Sequence, residues 1–341
     1  ALETVESIKS EHKRCKNLEG KKRLLSWKER SESQARLNAM VNMASNNPTM
    51  VTQLSDYDRQ IYHINSKNGL VDLRTGELID HNPKHNITKL ANVSYHPKAE
   101  CPTFDKFIQE VFNHDPELIR WMQRAIGYSL TGSVDDQCLF IAYGTGANGK
   151  STLFEVISQI LGDYSKTADF ETFLNNQLSD VRSLEAVGEL KGIRYALASE
   201  VDKSRRFSES VVKRLTGGDT LRGTKLRSSA FEFKPEFKLW FLANHLPFVR
   251  DGSYGFWRRI KVVPFTQKFA GAKIDKRLPE QLLSEAEGIF AWCVRGAIEW
   301  YQSLEMTDGT SGIGSCKAVE DASNDYKSDN DTLTNFIEDT I

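Results

Sequence analysis

Gly144-Thr145-Gly146-Ala147-Asn148-Gly149-Lys150-Ser151 is the stretch on which the reading of this chain turns. It fits G-x-x-x-x-G-K-[ST] at every fixed position, the pattern of a loop that cradles nucleotide phosphates. Its flanks agree. Ahead of it, Cys138-Leu139-Phe140-Ile141-Ala142-Tyr143 is a short apolar run of buried-strand type. Behind it, Leu153, Phe154, Ile157, Ile160 and Leu161 recur at helical spacing, and Gly162 marks a helix stop. Strand, glycine loop and helix are what the chemistry requires. Glycines let backbone N–H groups close around anionic oxygens, at a helix N-terminus whose dipole already favours negative charge. Gly144, Thr145, Gly146, Ala147, Asn148, Gly149, Lys150, Ser151 and Thr152 are therefore the expected phosphate-binding residues. Lys150 is predicted to reach the β- and γ-phosphates and Ser151 to ligate Mg²⁺, which makes ATP and Mg²⁺ the expected ligands.

Two later strands end in polar residues suited to such a site. Tyr195-Ala196-Leu197-Ala198-Ser199-Glu200 delivers a carboxylate to hold Mg²⁺ or activate water, and Leu239-Trp240-Phe241-Leu242-Ala243-Asn244 delivers an amide to orient water or sense the γ-phosphate. A polar residue ending a strand is ordinarily turn chemistry; the order of these two after the glycine loop is what gives them weight. Phe256-Trp257-Arg258-Arg259 then leads into the alternating run Ile260-Lys261-Val262-Val263-Pro264-Phe265. A guanidinium there is either a structural ion-pair partner or an arginine finger.

Around this core, from about 136 to 270, the chain divides. Residues 1–135 read as a mainly helical accessory domain. Ala35, Leu37, Met40, Val41 and Ala44 form a helical stripe capped by Ser31 or Ser33, and Asn68-Gly69 and Thr75-Gly76 punctuate a small β element. Phe104, Phe107, Ile108, Val111 and Phe112 make a second stripe; Leu118, Trp121, Met122, Ala125 and Ile126 make a third, with Asp115 as N-cap and Pro116 at the first helical position. Residues 271–341 read as a helical C-terminal region: one long amphipathic helix runs from Leu282 to Trp300, and an acidic tail follows.

Composition excludes several classes. Hydrophobic residues make up 39% of the 341 and charged residues 27%, an ordinary globular balance. No apolar run approaches the ~18 residues that span a bilayer, and no signal peptide opens the chain. Cys15, Cys101, Cys138, Cys293 and Cys316 are scattered without a C-x-x-C pair, which favours reduced thiols in a cytoplasm over a disulfide framework or zinc site. The chain begins at Ala1 and is read as a piece of something longer. Net charge is −1, but residues 203–234 hold nine basic residues against three acids, while 318–341 hold seven acids against Lys327 alone. A basic block beside a nucleotide site points to a polyanion partner; its bland counterpart is a solvated basic face.

Taken in order, these features resemble a superfamily 3 helicase, an AAA+-like P-loop NTPase. More narrowly they resemble the helicase part of phage, plasmid and poxvirus-type primase–helicases. The matching stretches are Asn68 to Gly76, Gly127-Tyr128-Ser129-Leu130-Thr131-Gly132, Gly144 to Ser151, Leu215-Thr216-Gly217-Gly218-Asp219, Phe231-Glu232-Phe233-Lys234-Pro235, Asn244-His245-Leu246-Pro247 and the Arg258-Arg259 strand, and the likeness covers roughly residues 25–335. The resemblance implies an α/β AAA+-like core working as a ring, usually a hexamer. It makes Lys150 and Ser151 the phosphate-loop residues, Glu200 the Walker B acid and Asn244 the sensor. Arg259 best matches the finger given to a neighbouring subunit, with Arg258 as runner-up. A DNA-gripping hairpin lies between Asp219 and the Asn244 strand, which assigns DNA contact to Arg222, Lys225 and Arg227. Many relatives end the Walker B strand with two acids, whereas Ser199 precedes Glu200 here, so Asp202 is an alternative for metal or water. The implied function is an ATP-dependent helicase or translocase on single-stranded or forked DNA, replicating a phage, plasmid or other mobile element in the cytoplasm of a bacterial host or virus-infected cell. The alternative is an ATP-gated initiator that melts an origin without processive unwinding. The implied partners are DNA, further copies of the chain, and a primase domain or other replication proteins, with no membrane.

Overall fold

A computed structural model of the chain describes residues 2–47, 51–168, 181–199, 207–224, 229–249, 253–271, 275–307 and 312–330. Two compact units emerge, Ala1–Tyr57 and Asp58–Ile341. The first holds helices α1 (Leu2–Arg14), α2 (Leu18–Ser31) and α3 (Gln34–Ser45). Ser33 is the N-cap of α3, and its hydroxyl makes no capping bond; the Met40–Val41 face of this helix stays exposed.

The second unit is built on a parallel sheet in the order β10-β4-β9-β6-β5. Its strands are β4 (Leu139–Tyr143), β5 (Ser165–Thr167), β6 (Tyr195–Ser199), β9 (Lys238–Ala243) and β10 (Ile260–Pro264). Buried on both faces, such strands read as continuous apolar runs, which is how Leu139–Tyr143 and Leu239–Ala243 read. Alternate residues serve two cores. Phe140, Ala142, Tyr195, Leu197, Trp240, Leu242 and Val263 face one; Leu139, Ile141, Ala196, Ala198, Leu239, Phe241 and Val262 face the other. Phe140 lies opposite Trp240 in register, and their rings stack with centroids 4.1 Å apart.

The first core is covered by α4 (Pro102–Val111), α5 (Pro116–Leu130), α6 (Lys150–Leu161) and α11 (Ala286–Met306). Residues 58–135 thus share one core with the sheet. They include a small antiparallel sheet of β1 (His63–Ser66), β2 (Gly69–Asp72) and β3 (Leu78–Ile79). Asp115 caps α5 by accepting from the N–H groups of Glu117 and Leu118. The Gly127-to-Gly132 motif is structural. A Cβ on Gly127 would stand 2.0 Å from Ala297 N, Ser129 Oγ accepts from Trp240 Nε1 at 3.0 Å, and the Thr131 carbonyl accepts from the buried Lys238 ammonium. The second core is covered by α7 (Val181–Gly188), α8 (Glu209–Thr216), the hairpin of β7 (Leu221–Gly223) and β8 (Phe231–Phe233), the short α9 (Tyr254–Trp257) and part of α12 (Lys317–Asp329).

The expected single helix beyond 279 is instead two, α10 (Leu278–Ser284) and α11, broken at Glu285. Glu285, at the break, caps another helix. Cys101, the N-cap of α4, has no capping side-chain bond, and the Glu285 carboxylate accepts from Thr103 N and Phe104 N, each at 3.0 Å. A residue 182 positions away thus satisfies two N–H groups that the start of α4 leaves open. Nor is α11 amphipathic over its first turns: Ile289 through Val294 are all buried. Among the described residues, no helix is long and apolar enough to cross a membrane.

Candidate active site

In an open parallel sheet, ligands bind beyond the carboxyl ends of the strands, where successive connections run in opposite directions. Here that place lies between β4 and β9. The connection after β4 runs to β5 at the far edge, and the connection after β9 runs back across β4 to β10. The glycine loop leaves the end of β4, and Asn244 follows the end of β9.

The loop's backbone explains its residues. Gly146 and Gly149 have φ of 92° and 83°, left-handed values that glycine adopts without strain, and Ala147 between them holds the same region at 50° with a side chain. A Cβ on Gly144 would meet Phe265 O at 2.3 Å and Asn148 Nδ2 at 2.4 Å, whereas one on Gly146 would meet nothing within 4 Å. The first glycine is needed for packing, and the second faces open space. Asn148 is buried and braces the loop by donating to Phe265 O at 3.3 Å; Phe269 N donates to Ala147 O at 2.7 Å. Gly149 is the N-cap of α6, and Lys150 is its first residue.

Lys150 is only 5% exposed. Its ammonium donates to the Gly144 carbonyl and, at 3.3 Å, to Asn244 Oδ1, bridging the two strand ends. Burial pushes its pKa down to about 8, and no charged partner among the described residues offsets this. A buried cation held by neutral oxygens at a helix N-terminus is a strong attractor for an anion. Ser151 is exposed and Thr152 half-buried at the same helix end.

Beside the loop lies a cavity of about 380 Å³. Ala147, Gly149 and Thr152 form its loop side, Phe107, Phe269 and Leu278 its apolar walls, and Lys106, Asp275 and Gln281 its polar rim. Gln281 Nε2 donates to Asp275 Oδ2 at 3.1 Å. In the sequence the α4 stripe reads simply as core, with nothing that marks it as a cavity wall.

Arg258 and Arg259 sit at the other end of the sheet, just before β10. The five residues of β10 separate them from the loop by roughly 16 Å at ~3.3 Å per residue. Arg259 is half-buried; its guanidinium donates to Gly255 O at 2.6 Å, Gln137 Oε1 at 3.0 Å and Thr216 Oγ1 at 3.1 Å. Burial, then the neighbouring Arg258, push its pKa down. Arg258 is exposed and also donates to Gln137 Oε1, at 2.6 Å. Nothing in the sequence marks Gln137 as the shared acceptor; its φ of 47° is visible only in the structure. Arg222 is exposed on β7, opposite Glu232 on β8. Glu200, Asp202, Lys225 and Arg227 lie outside the described residues.

Residues 1–113 match a family described as D5 N terminal like, and residues 142–259 match a family of unknown function. Among curated relatives, a protein of Acanthamoeba polyphaga mimivirus provisionally named a helicase is 30% identical over 63% of this chain and 23% of its own length. One of Invertebrate iridescent virus 3, also provisionally named a helicase, is 24% identical over 80% of this chain and 32% of its own. A protein of African swine fever virus provisionally named a primase is 20% identical over 80% of this chain and 30% of its own. The chain thus spans about a quarter to a third of the length of these relatives. A solved structure titled as the apo C terminal region of NrS-1 aligns with a TM-score of 0.47 at 13% identity, over 64% of this chain and 54% of that one. Over most of its length, the chain resembles proteins of large DNA viruses named as helicases and primases.

Proposed function

We propose that this chain is the ATP-hydrolysing motor of a replicative DNA helicase with an AAA+-like P-loop core, acting as a ring that closes each nucleotide site with a neighbour. The observation that carries the proposal is the Lys150 ammonium, buried at the start of α6 between Gly144 and Asn244 without a counter-charge among the described residues. The residues fit a nucleotide with Mg²⁺: the glycine loop and the α6 N-terminus suit the phosphates, Ser151 is exposed beside them, and the adjoining cavity has room for a nucleoside. Bound Mg²⁺ would neutralise charge on the phosphate oxygens. Lys150 orients the β- and γ-phosphates, and Asn244, already within reach of Lys150, aligns the attacking water. Glu200, or Asp202, is assigned to the metal or the water.

The position of the arginines supports a ring. Roughly 16 Å from their own chain's loop, Arg258 and Arg259 are badly placed to serve that site and well placed on a surface offered to another. Arg259 remains the preferred finger, and freeing it requires breaking its bonds to Gly255, Gln137 and Thr216. DNA contact is assigned to the hairpin carrying Arg222, Lys225 and Arg227, and the names of the viral relatives favour a replication role. Residues 1–135 would then be accessory, 136–270 the motor and 271–341 its helical support. The test is ATP hydrolysis with and without forked DNA, together with strand separation. Wild type should hydrolyse ATP faster on DNA and unwind the fork, and Lys150→Ala should do neither while staying folded. Strand melting limited to a few base pairs would favour the initiator instead; equal turnover in both proteins would remove the motor reading.

A further inference from the structure

Helix α12 touches both ends of the proposed chemistry. Tyr326 is buried; its hydroxyl donates to the Pro247 carbonyl, three residues after Asn244, and its ring meets that of Trp257 edge-on, with centroids 5.3 Å apart. Trp257 directly precedes Arg258. One turn on, Asn330 accepts from Val249 N at 2.8 Å and donates back to Tyr326 O at 2.8 Å. On the same helix, Ser323 Oγ accepts from Val262 N at 3.0 Å, occupying a donor of β10, which lies at the edge of the described sheet. Between these anchors, Phe248 O accepts from Phe207 N at 3.2 Å. Pro247, Phe248 and Val249 are each held through the backbone, two of them by α12.

We propose that α12 is a clasp that sets the sensor turn and the arginine turn as one body, with Tyr326 and Asn330 as positioning residues for Asn244 and for the Arg258–Arg259 pair. The physical reason is the short lever. Two residues separate Asn244 from the Pro247 carbonyl that Tyr326 holds, and one peptide bond separates Trp257 from Arg258. A change at a neighbour's nucleotide that pulls on the arginine turn is therefore transmitted through one packed aromatic pair and one hydrogen bond to this chain's own sensor. The inference rests on the assignment of Asn244 as sensor.

The experiment measures DNA-stimulated ATP hydrolysis by the whole chain, well below its thermal midpoint, in Tyr326→Phe, Asn330→Ala, Asn330→Asp and Asn244→Ala. Tyr326→Phe keeps the ring on Trp257 and loses only the hydroxyl. Tyr326→Phe and Asn330→Ala should each lower kcat by about tenfold with KM for ATP unchanged, the scale of loss when a reacting geometry slips by a fraction of an ångström. Asn330→Asp, which retains the acceptor for Val249 N, should keep most of the activity. Combining Tyr326→Phe with Asn244→Ala should cost no more than Asn244→Ala alone, because both act through one amide. Wild-type kcat in Tyr326→Phe and Asn330→Ala beside a slow Asn244→Ala would overturn the clasp and leave the site reading intact. So would a fully additive double variant, or an Asn330→Asp as slow as Asn330→Ala. An Asn244→Ala with unchanged kcat would overturn the sensor assignment and the clasp with it.

Discussion

Nucleotide binding should be coupled to uptake of a proton by Lys150. Burial without a counter-charge among the described residues holds its pKa near about 8 in the free protein. An anionic phosphate beside the ammonium favours the charged form, returning the pKa toward the ordinary ~10.4. The complex then binds the proton more tightly than the free protein, so affinity is full below about pH 8 and falls as pH rises through that value. From about pH 7 to about pH 9 the loss works out at about tenfold, or ~1.4 kcal/mol, and at about pH 8.5 roughly 0.7 proton should be taken up per site. The same linkage makes the nucleotide-free protein gain stability as pH rises above about 8, because the unfolded lysine holds its proton longer. Titration calorimetry with a non-hydrolysable ATP analogue and Mg²⁺, in two buffers of different ionisation enthalpy, reads the uptake directly. Lys150→Arg, which does not titrate in this range, should bind without the pH dependence. An observed enthalpy independent of buffer, with affinity flat across this range, would refute the argument that Lys150 waits as an uncompensated cation.

The arginine finger ties catalysis to assembly: ATPase rate per subunit should rise with protein concentration, and Arg259→Ala should lose on the order of 10³-fold in turnover while retaining ATP binding. Mixing Arg259→Ala with Lys150→Ala chains should restore some activity, and a co-assembled mixture with none would count against the ring. Replacing Lys225 and Arg227 by Ala should flatten the salt dependence of DNA binding, each lost phosphate contact reducing the log–log slope by ~0.9 on duplex or ~0.7 on single strands; an unchanged slope would move the DNA track elsewhere. Gly127→Ala should destabilise the fold by about 1–3 kcal/mol or more, since its methyl would meet Ala297 N at 2.0 Å and force α5 and α11 apart. Thermal melting checks this against Gly255→Ala, whose methyl finds its nearest neighbour at 3.8 Å and should be neutral.

Much of the site was legible because it is local. The left-handed turns of the glycine loop, the helix that Lys150 begins, the Asp115-Pro116 start of α5 and the Gly162 stop each depend on a few adjacent residues, and the apolar runs of β4 and β9 announce strands buried on both faces. Asn244 could be picked out because it ends such a run. What the sequence could not reveal is what those residues would meet. Lys238 and Arg194 are buried cations that an isolated reading would place on the surface; carbonyls supply their solvation, from Thr131 and Ser133 for the lysine and from Gln60, His63 and Leu130 for the arginine. Glu285 reads as one more helical acid until α4 presents two unpaired N–H groups to it. Gln137, the acceptor that gathers both arginines, and Tyr326, which links the turns at the two ends of the sheet, belong to the same kind. Periodicity and turn chemistry are properties of neighbours along the chain, whereas burial of a charge, capping at a distance and the spacing of two catalytic ends are decided only when segments 64 to 182 residues apart are brought into contact.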